Sequence, residues 1–385
     1  MGRAMKKGWR TVALGDLCDI LDSKRKPITK RDRKSGEYPY YGATGIQDFV
    51  EGFLFDEPLV LVGEDGAKWA SGENTAFAIE GKCWVNNHAH VLRPNRALLN
   101  DNWLIHFLVY SDLSPFVSGL TVPKLNQGNL REIPIPLPPL PEQHRIVAIL
   151  DEAFDGIATA KANAEKNLQN ARALFESHLQ SVFTERGEGW VDRQLASLCL
   201  EITVGHVGPM KKEYKENGVP FLRSQNIRPF EVSMDNAMFI DDTFHRVLKK
   251  SQLRPGDLAI VRTGYPGTAA VIPPELPDSN CSDLVIVRPG KEINPHFLAA
   301  FFNSAFGKQL VLGKIVGAAQ KHFNITAAKE VMLHVPPMEV QHSIIEKADS
   351  LREETQRLES LYQQKLTALD DLKKSLLHQA FSGKL

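Results

Sequence analysis

Apolar and small residues recur at alternating steps of four and three in two long windows of this chain. The first window has no proline between Glu142 and Phe183, and its recurring positions are Ile146, Leu150, Ala153, Ile157, Ala160, Ala164, Asn167, Ala171, Leu174 and His178. The same steps return 198 residues later, at Ile344, Ala348, Leu351, Thr355, Leu358, Tyr362, Lys365, Leu369, Leu372 and Leu376. Such steps are typical of the seam of a coiled-coil helix. The windows therefore predict two long helices of equal length and phase.

We expect the two helices to pack on each other as an antiparallel coiled coil. The first leads from one globular segment to the next, so the second must run back to meet it. A helix of this length is roughly 60 Å long at 1.5 Å per residue. Two domains at the ends of such a rod would be related by a pseudo-two-fold axis. The alternative is two ordinary amphipathic helices, each lying on its own domain.

A proline-rich connector opens each window. The segments PPLPEQHRI (138–146) and PPMEVQHSI (336–344) keep proline, glutamine, histidine and isoleucine at the same relative places. Prolines at this density remove backbone donors and favour an extended path, and a proline is well tolerated at a first helical position. We therefore predict stiff connectors that join each globular segment to its helix and perform no chemistry themselves.

Short apolar runs and turn residues precede each connector. Leu59–Val62 reads as a buried strand that ends in the turn Gly63–Gly66. We predict an α+β fold with two sheet-dominated domains, arranged as residues 1–140 (first domain), 141–184 (first long helix), 185–336 (second domain) and 337–385 (second long helix). The domains share a frame, since Gly8-Trp9 returns as Gly189-Trp190. Between the framing segments their sequences look unrelated.

The charges balance, with 46 Lys and Arg against 46 Asp and Glu. This argues against a diffuse basic field, but a local basic patch remains compatible with it. The four cysteines are far apart in the sequence, so zinc and redox chemistry are not expected and a cytoplasmic location is favoured. No apolar window reaches the length of a membrane span, so we expect no membrane partner.

Catalytic signatures are absent from the sequence. There is no phosphate-binding loop, no dinucleotide fingerprint and no Asn/Asp-Pro-Pro-Tyr/Phe tetrapeptide of amino-methylating enzymes. The segment Glu64–Lys68 superficially resembles a nuclease carboxylate–lysine pair, but no Pro-Asp partner lies upstream. His144 and His342 recur in the first turn of each helix without a metal-ligand pattern, which favours a packing or helix-end role. We therefore predict no catalytic residue and no metal site in this chain.

Nucleic-acid contact has better candidates. A basic run in the first domain could neutralise phosphates, although a merely solvated charge run has the same composition. Its members in our set are Lys24, Arg25, Lys26, Lys30, Arg31 and Arg33. In the second domain, Arg223, Gln225, Asn226 and Arg228 are side-chain types that bond to guanine or adenine edges.

Loops supply the remaining candidates. A Gly-rich turn after a strand carries Arg262, Thr263 and Tyr265, and such loops often reach partners. Matching loops before the connectors carry Lys124, Asn126, Lys321, His322 and Asn324, and we add Lys68 from the Gly63–Gly66 region. Asn126 and Asn324 either fix a turn or contact DNA, and the sequence does not decide between these roles.

The whole pattern resembles the specificity (S) subunits of type I restriction-modification systems. The resemblance rests on the duplicated PLPPLPEQ-type connector, the Gly-Trp and Leu-x-x-x-Cys openings, and the Leu-Asn and Phe-Asn loops. The segments Tyr40-Tyr41-Gly-Ala-Thr-Gly and Arg-Pro-Gly-Asp-Leu (254–258) look like common target-recognition-domain segments, so Tyr40 and Tyr41 join the DNA-binding candidates. The second connector departs from the pattern at Val340.

The resemblance implies two target recognition domains that read the two halves of a split double-stranded DNA target. It also implies two methylation subunits that dock on the helices, bind S-adenosylmethionine and methylate adenine N6. Restriction subunits would add cleavage with ATP and Mg²⁺. All these cofactors belong to the partners, and the resemblance implies none in this chain.

Other readings stay open at this point. The chain could belong to a methylation-only or fused system, or could be a coiled-coil scaffold with two protein-binding heads and no DNA contact. An autonomous methyltransferase or nuclease is the third class, and activity of the purified chain alone would establish it.

Overall fold

The computed structural model describes residues 8–119, 121–185, 187–313 and 323–385. Two compact units are present, one formed by Met1–Glu165 with Gln364–Leu385 and the other by Lys166–Gln363. Within the described residues, no helix is both long and apolar enough to cross a membrane. Each unit combines small sheets with helices.

The first unit holds ten strands and four helices. Its strands are β1 (Arg10–Ala13), β2 (Cys18–Ile20), β3 (Ser35–Gly42), β4 (Gly45–Val50), β5 (Phe55–Asp56), β6 (Leu59–Gly63), β7 (Ala76–Ile79), β8 (Lys82–Val85), β9 (Ala89–Pro94) and β10 (Pro134–Leu137). Its helices are α1 (Leu14–Leu17), α2 (Asp101–Tyr110), α3 (Gln127–Arg131) and the first part of α4 (Leu140–Thr184).

Three sheets organise these strands. Strand β1 pairs antiparallel with β10, which precedes the long helix. One four-stranded sheet has the order β2-β9-β6-β7, and the other has the order β4-β3-β8-β5. Strands β3 and β8 run parallel, whereas β5 is antiparallel to β8. The central strand β6 is buried on both faces, which explains its uninterrupted apolar sequence.

Within the described residues, twelve strands and six α-helices begin in the second unit, which also contains the last part of α4. Its strands are β11 (Val191–Gln194), β12 (Cys199–Val204), β13 (Val219–Leu222), β14 (Ile227–Arg228), β15 (Glu231–Val232), β16 (Met238–Ile240), β17 (Gln252–Leu253), β18 (Leu258–Val261), β19 (Ala269–Val271), β20 (Ser279–Cys281), β21 (Leu284–Pro289) and β22 (Met332–Val335). Its helices are α5 (Leu195–Leu198), α6 (Asp242–Val247), α7 (Pro295–Asn303), α8 (Ala305–Gly313), α9 (Ile325–Lys329) and most of α10 (Met338–Phe381).

The second unit repeats the strand order of the first. The pair β11–β22, the sheet β12-β21-β18-β19 and the sheet β16-β13-β20-β17 correspond one to one to the sheets of the first unit. The parallel pair returns as β13 and β20, and a hairpin of β14 and β15 is added. The expectation that the domains are unrelated between their framing segments is therefore wrong. The two domains have the same strand order but different side chains. A comparison of residue identities cannot detect a shared strand order.

The long helices show the predicted seam with a local shift. Leu150, Ile157, Ala164 and Ala171 are buried at a constant spacing of seven. Leu174 and Leu372 were expected in the seam, but they are 52% and 47% exposed. A straight helix drifts by about 20° per heptad relative to a strict seven-residue repeat. Towards the end of α4 the buried face accordingly passes to Leu179 and Phe183.

Within each unit, α4 and α10 run antiparallel. In the first unit Arg145 donates to the backbone oxygen of Leu385 (2.9 Å), while Lys161 pairs with Asp370 (2.8 Å). One residue number rises as the other falls, which is the signature of antiparallel neighbours. In the second unit Arg172 pairs with Glu359 (3.0 Å). The α+β fold class with two long antiparallel helices is confirmed.

A buried glutamine joins each long helix to its domain. Gln143 is fully buried, and its Nε2 donates to the backbone oxygens of Leu98 (2.8 Å) and Pro138 (2.9 Å). Its Oε1 accepts from the backbone N–H of Asn100 (2.8 Å). Asn100 is itself the N-cap of α2 and accepts from the N–H of Trp103. The amide thus ties the start of α4 to the start of α2.

Gln341 repeats this arrangement in the second unit. Its Nε2 donates to the backbone oxygens of Glu292 (3.1 Å) and Pro336 (2.9 Å), and its Oε1 accepts from the N–H of Asn294 (2.8 Å). Asn294 is the N-cap of α7. The repeated Pro-Pro…Gln motif therefore encodes one joint that is used twice.

Replacing Gln143 by leucine should lower the free energy of unfolding by about 2–4 kcal/mol, since one buried N–H and two carbonyl oxygens lose their partner. Gln169→Leu is the matched control, because Gln169 lies exposed on the same helix. Urea unfolding of the full chain measures both. A Gln143→Leu midpoint equal to that of the control would contradict the role of the joint.

Candidate nucleic-acid interface

The basic run of the first unit divides into exposed and buried members. Lys24, Lys26, Lys30 and Arg31 are exposed. Arg33 is held in place, because its guanidinium lies over the ring of Tyr40 at 4.3 Å and bonds to Asp48 at 3.2 Å. All four exposed side chains can turn towards a phosphate, although Arg31 lies 3.5 Å from the carboxylate of Asp32.

Arg25 lies in a buried charged cluster. Its side chain is 12% exposed, pairs with Glu64 and lies 3.3 Å from Asp22. Lys124 reaches the same Glu64 at 2.9 Å, and this hydrogen bond raises the pKa of the Lys124 ammonium. Arg25 therefore contributes to the fold of the domain. The sequence pattern alone had grouped it with the lysines that were expected to contact phosphate.

His90 completes the cluster from strand β9. Its Nδ1 lies 2.6 Å from the Asp22 carboxylate and its Nε2 lies 2.7 Å from the backbone oxygen of Leu125. The Asp22 carboxylate and the Leu125 carbonyl are both acceptors, so each imidazole nitrogen of His90 faces a hydrogen-bond acceptor. Burial by itself raises the pKa of the Asp22 carboxyl. The hydrogen bonds from His90, the Val91 amide and Gln127 together hold that pKa below its ordinary value.

Asp22, Glu64 and His90 have the composition of a metal site, with ligand atoms within 4.8 Å of one another. Two cationic side chains, Arg25 and Lys124, already neutralise these carboxylates. A divalent cation would have to displace them, and both imidazole nitrogens of His90 already lie at hydrogen-bonding distance from other partners. We therefore read the cluster as a structural charge network.

The remaining candidates of the first unit are distributed around this network. Tyr40 is buried, and its hydroxyl accepts from the N–H of Ile28 at 3.0 Å. Tyr41 is half-buried beside Phe77, and burial raises the pKa of its phenol. Lys68 is exposed and lies 3.7 Å from Glu73.

In the second unit, the residues 223–228 form a short turn after β13. Asn226 is fully buried, where its amide donates to the backbone oxygens of Ser233 (3.0 Å) and Asp235 (3.1 Å). Arg223 and Gln225 both donate to the backbone oxygen of Asn236, at 3.1 and 3.3 Å. Asn226 therefore builds the turn, and the turn presents the side chains of Arg223 and Gln225 at its surface.

Two further arginines of this unit have different surroundings. Arg228 is 50% exposed and pairs with Asp235 at 2.6 Å. Arg262 follows the buried strand β18, is only 15% exposed, and has its nearest carboxylate, Asp283, at 4.0 Å. Thr263 is half-buried, whereas Tyr265 is 84% exposed at the tip of the same turn.

The matched asparagines cap helices. The Asn126 side chain accepts from the N–H of Asn129 at the start of α3, and the Asn324 side chain accepts from the N–H of Ala327 at the start of α9. Both distances are 2.9 Å. Of the two open readings, the geometry favours the turn-fixing one. Lys321 and His322 lie outside the described residues.

The sequence pattern did not reveal that Glu64 and Arg262 occupy equivalent positions in the two units. Both follow the central strand of corresponding sheets and lie 198 residues apart, the same offset as the long helices. That offset was the available signal. It was hidden because the two side chains carry opposite charge.

The fold and these surfaces define a class of protein with two copies of one sheet domain, each joined by the same glutamine contact to a long helix. Comparisons with known proteins make the assignment more specific. The family model for the type I restriction modification DNA specificity domain matches residues 6–169. Over most of its length the chain is similar to type I restriction enzyme specificity subunits.

Individual relatives cover nearly the whole chain. A Haemophilus influenzae protein described provisionally as a type I restriction enzyme specificity subunit is 29% identical over 86% of this chain and 84% of its own length. The MjaVIII specificity subunit of Methanocaldococcus jannaschii is 21% identical over 100% of this chain and 94% of its own length.

Solved structures share the fold. The HsdS subunit from Thermoanaerobacter tengcongensis gives a TM-score of 0.61 at 18% identity, covering 100% of this chain and 99% of that one. A chain from a structure on complex assembly and conformational transition of the type I R-M system gives a TM-score of 0.76 at 18% identity, with both chains covered completely.

Replacing Asp22 by asparagine should lower the free energy of unfolding at pH 7 by about 3 kcal/mol, because Arg25 and His90 lose their buried partner. The folded pKa of Asp22 lies below the ordinary value of 3.8. The wild-type contribution is therefore complete above pH 3.8 and is lost as the pH falls through the folded pKa. Urea unfolding of wild type and variant should converge in that acid range, and exposed Asp16→Asn is the control. A difference that stays constant down to pH 2 would contradict the network.

Proposed function

We propose that this chain is the DNA sequence-specificity subunit of a type I restriction-modification complex. Each sheet domain reads one half of a split double-stranded target. The observation that supports this most strongly is the duplicated strand order of the two sheet domains, which carry different side chains on the same frame. A constant frame with exchanged polar side chains is what two domains need when they read different bases.

The exposed lysines and Arg31 of the first unit supply sequence-independent affinity. They lie in the segment between β2 and β3, away from the buried charge network that Arg25 completes. Contacts of this kind to phosphate fix the register of a protein on the duplex without reading bases. Arg223, Gln225, Arg262 and Tyr265 are the base-reading candidates of the second unit.

Two methylation subunits dock on α4 and α10 in this proposal. They bind S-adenosylmethionine and methylate adenine N6, and restriction subunits bind ATP and Mg²⁺ where the system includes them. The chain itself is non-catalytic, since its charged clusters are neutralised internally and its sequence has no methyltransferase or phosphate-binding motif.

Mapping N6-methyladenine across the native genome tests the function directly. The expected result is one bipartite motif with an unspecified spacer, and it should disappear when this gene is deleted. Restoring the gene should restore the same motif. A continuous motif, or a methylome that deletion leaves unchanged, would contradict a bipartite specificity subunit.

Changing Lys24, Lys26, Lys30 and Arg31 together to glutamine should weaken DNA binding equally for all sequences. Each lost phosphate contact changes the slope of log affinity against log salt by about 0.9, so the slope should become less negative by roughly 3–4. Salt titrations of the assembled complex on cognate and random duplexes measure the slope. Lys347, Arg357, Lys365 and Lys374 to glutamine is the charge-matched control on α10, where all four are exposed, and its complex is titrated after its subunit content has been shown to equal that of the wild type. Equal slopes for both variants would point to the scaffold alternative.

A further inference from the structure

The backbone holds Glu64 and Arg262 in the same way in the two units. The N–H of Glu64 donates to the oxygen of His88 (2.8 Å), and the N–H of Arg262 donates to the oxygen of Asp283 (3.3 Å). The oxygen of Glu64 accepts from the N–H of Leu125 (2.8 Å), as that of Arg262 accepts from Phe323 (3.2 Å). One position of the shared frame therefore carries opposite charges in the two domains.

The two side chains differ in the hydrogen-bond and ion-pair partners that the protein supplies to them. Glu64 is enclosed by Arg25 and Lys124. The guanidinium of Arg262 makes no hydrogen bond within the described part of the chain, and its Nε is buried without a partner. Arg288 of the same unit also has a buried Nε without a hydrogen bond, but its other two guanidinium nitrogens bond to Glu201 and to the backbone oxygen of Gln252 (3.0 Å).

A mostly buried guanidinium with one ion pair at 4.0 Å is an unfavourable arrangement for the isolated protein. Removing a charged group from water is costly unless hydrogen bonds replace the lost hydration. Arg262 retains several donors and its nearest carboxylate is too distant to accept from them. An acceptor supplied by a bound partner would complete the site.

The immediate surroundings present Arg262 beside an exposed aromatic ring. The turn after β18 is closed by the N–H of Thr268, which donates to the oxygen of Tyr265 at 3.2 Å. Gly264 and Gly267 adopt φ values of +84° and +91°, which side chains other than glycine rarely adopt. Ser224 Oγ donates to the oxygen of Asp283 at 3.3 Å, which places the turn after β13 next to Arg262.

The geometry of Arg262 favours a base edge over a phosphate. Arginine pairs through two donors with O6 and N7 of guanine in the major groove, which is its commonest sequence-specific contact. The restricted exposure of Arg262 also suits a directed contact better than a diffuse phosphate contact.

We propose that Arg262 is a specificity-determining residue that reads a guanine in the half-site of the second domain. This inference rests on the proposed DNA-specificity function. Glu64, the equivalent residue, serves the fold of the first domain, so the first domain reads its half-site through other side chains. The half-site of the second domain accordingly contains at least one guanine that no other base replaces.

Arg262→Lys tests the assignment, because lysine keeps the charge but loses the two-pronged geometry. With the variant gene in the native strain, N6-methyladenine mapping should show one guanine position of the second half-site relaxed, with the first half-site and the spacer unchanged. In competition binding by the assembled complex, discrimination at that position should fall roughly 5- to 150-fold. The salt slope should stay at its wild-type value, since the charge remains. Arg246→Lys, on exposed α6, is the matched control and should leave the motif intact.

The outcomes separate the two proposals. If wild type shows no bipartite motif, the proposed function fails before Arg262 is considered. If wild type shows the motif and Arg262→Lys keeps it in full, Arg262 does not read a base. If Arg262→Lys abolishes methylation altogether, competition binding with the purified complex shows whether the variant has lost sequence discrimination or overall affinity. There, an equal loss of affinity for all sequences would assign Arg262 to phosphate or to the fold, and would overturn the guanine assignment.

Discussion

The buried amide of Gln143, with its counterpart Gln341, is the contact on which the rest of the structure depends. Each amide satisfies three backbone groups that lie near two helix starts and a proline connector. No other side chain of similar size offers two donors and an acceptor in this arrangement. Because buried polar groups are costly when unpaired, the amide defines the direction in which each long helix leaves its sheet domain. A specificity subunit needs that direction to be constant.

The duplicated strand order then separates framework from recognition. Buried strands such as β6 and β18 keep their places in corresponding sheets. The residues that follow them differ in charge and in surroundings, since Glu64 lies within the internal charge network and Arg262 has its nearest carboxylate at 4.0 Å. The core stabilises both domains in the same way, while the strand ends give each domain its own chemistry.

Charge has two separate uses in the first domain. Asp22, Arg25, Glu64, His90 and Lys124 lie close together as charged and polar partners, so they fasten four segments that are distant in the sequence. The neighbouring lysines of the same basic run remain in solvent. The zero formal charge of the chain is therefore compatible with a local basic surface.

The sequence alone determined the long helices, their common register, the connectors and the family, because these features depend on local periodicity and on repetition at a constant offset. The tertiary structure alone decided which charges are internal. Arg25 and Lys26 are adjacent in the sequence, yet Arg25 is held between the nearby Asp22 and Glu64, a residue at a strand end far along the chain, whereas Lys26 is exposed. It also revealed the common strand order of the two domains. Long-range strand pairing is carried by backbone hydrogen bonds, and these leave no residue pattern when the side chains differ. For the same reason the equivalence of Glu64 and Arg262, and with it the unsatisfied guanidinium, became visible only in the folded chain.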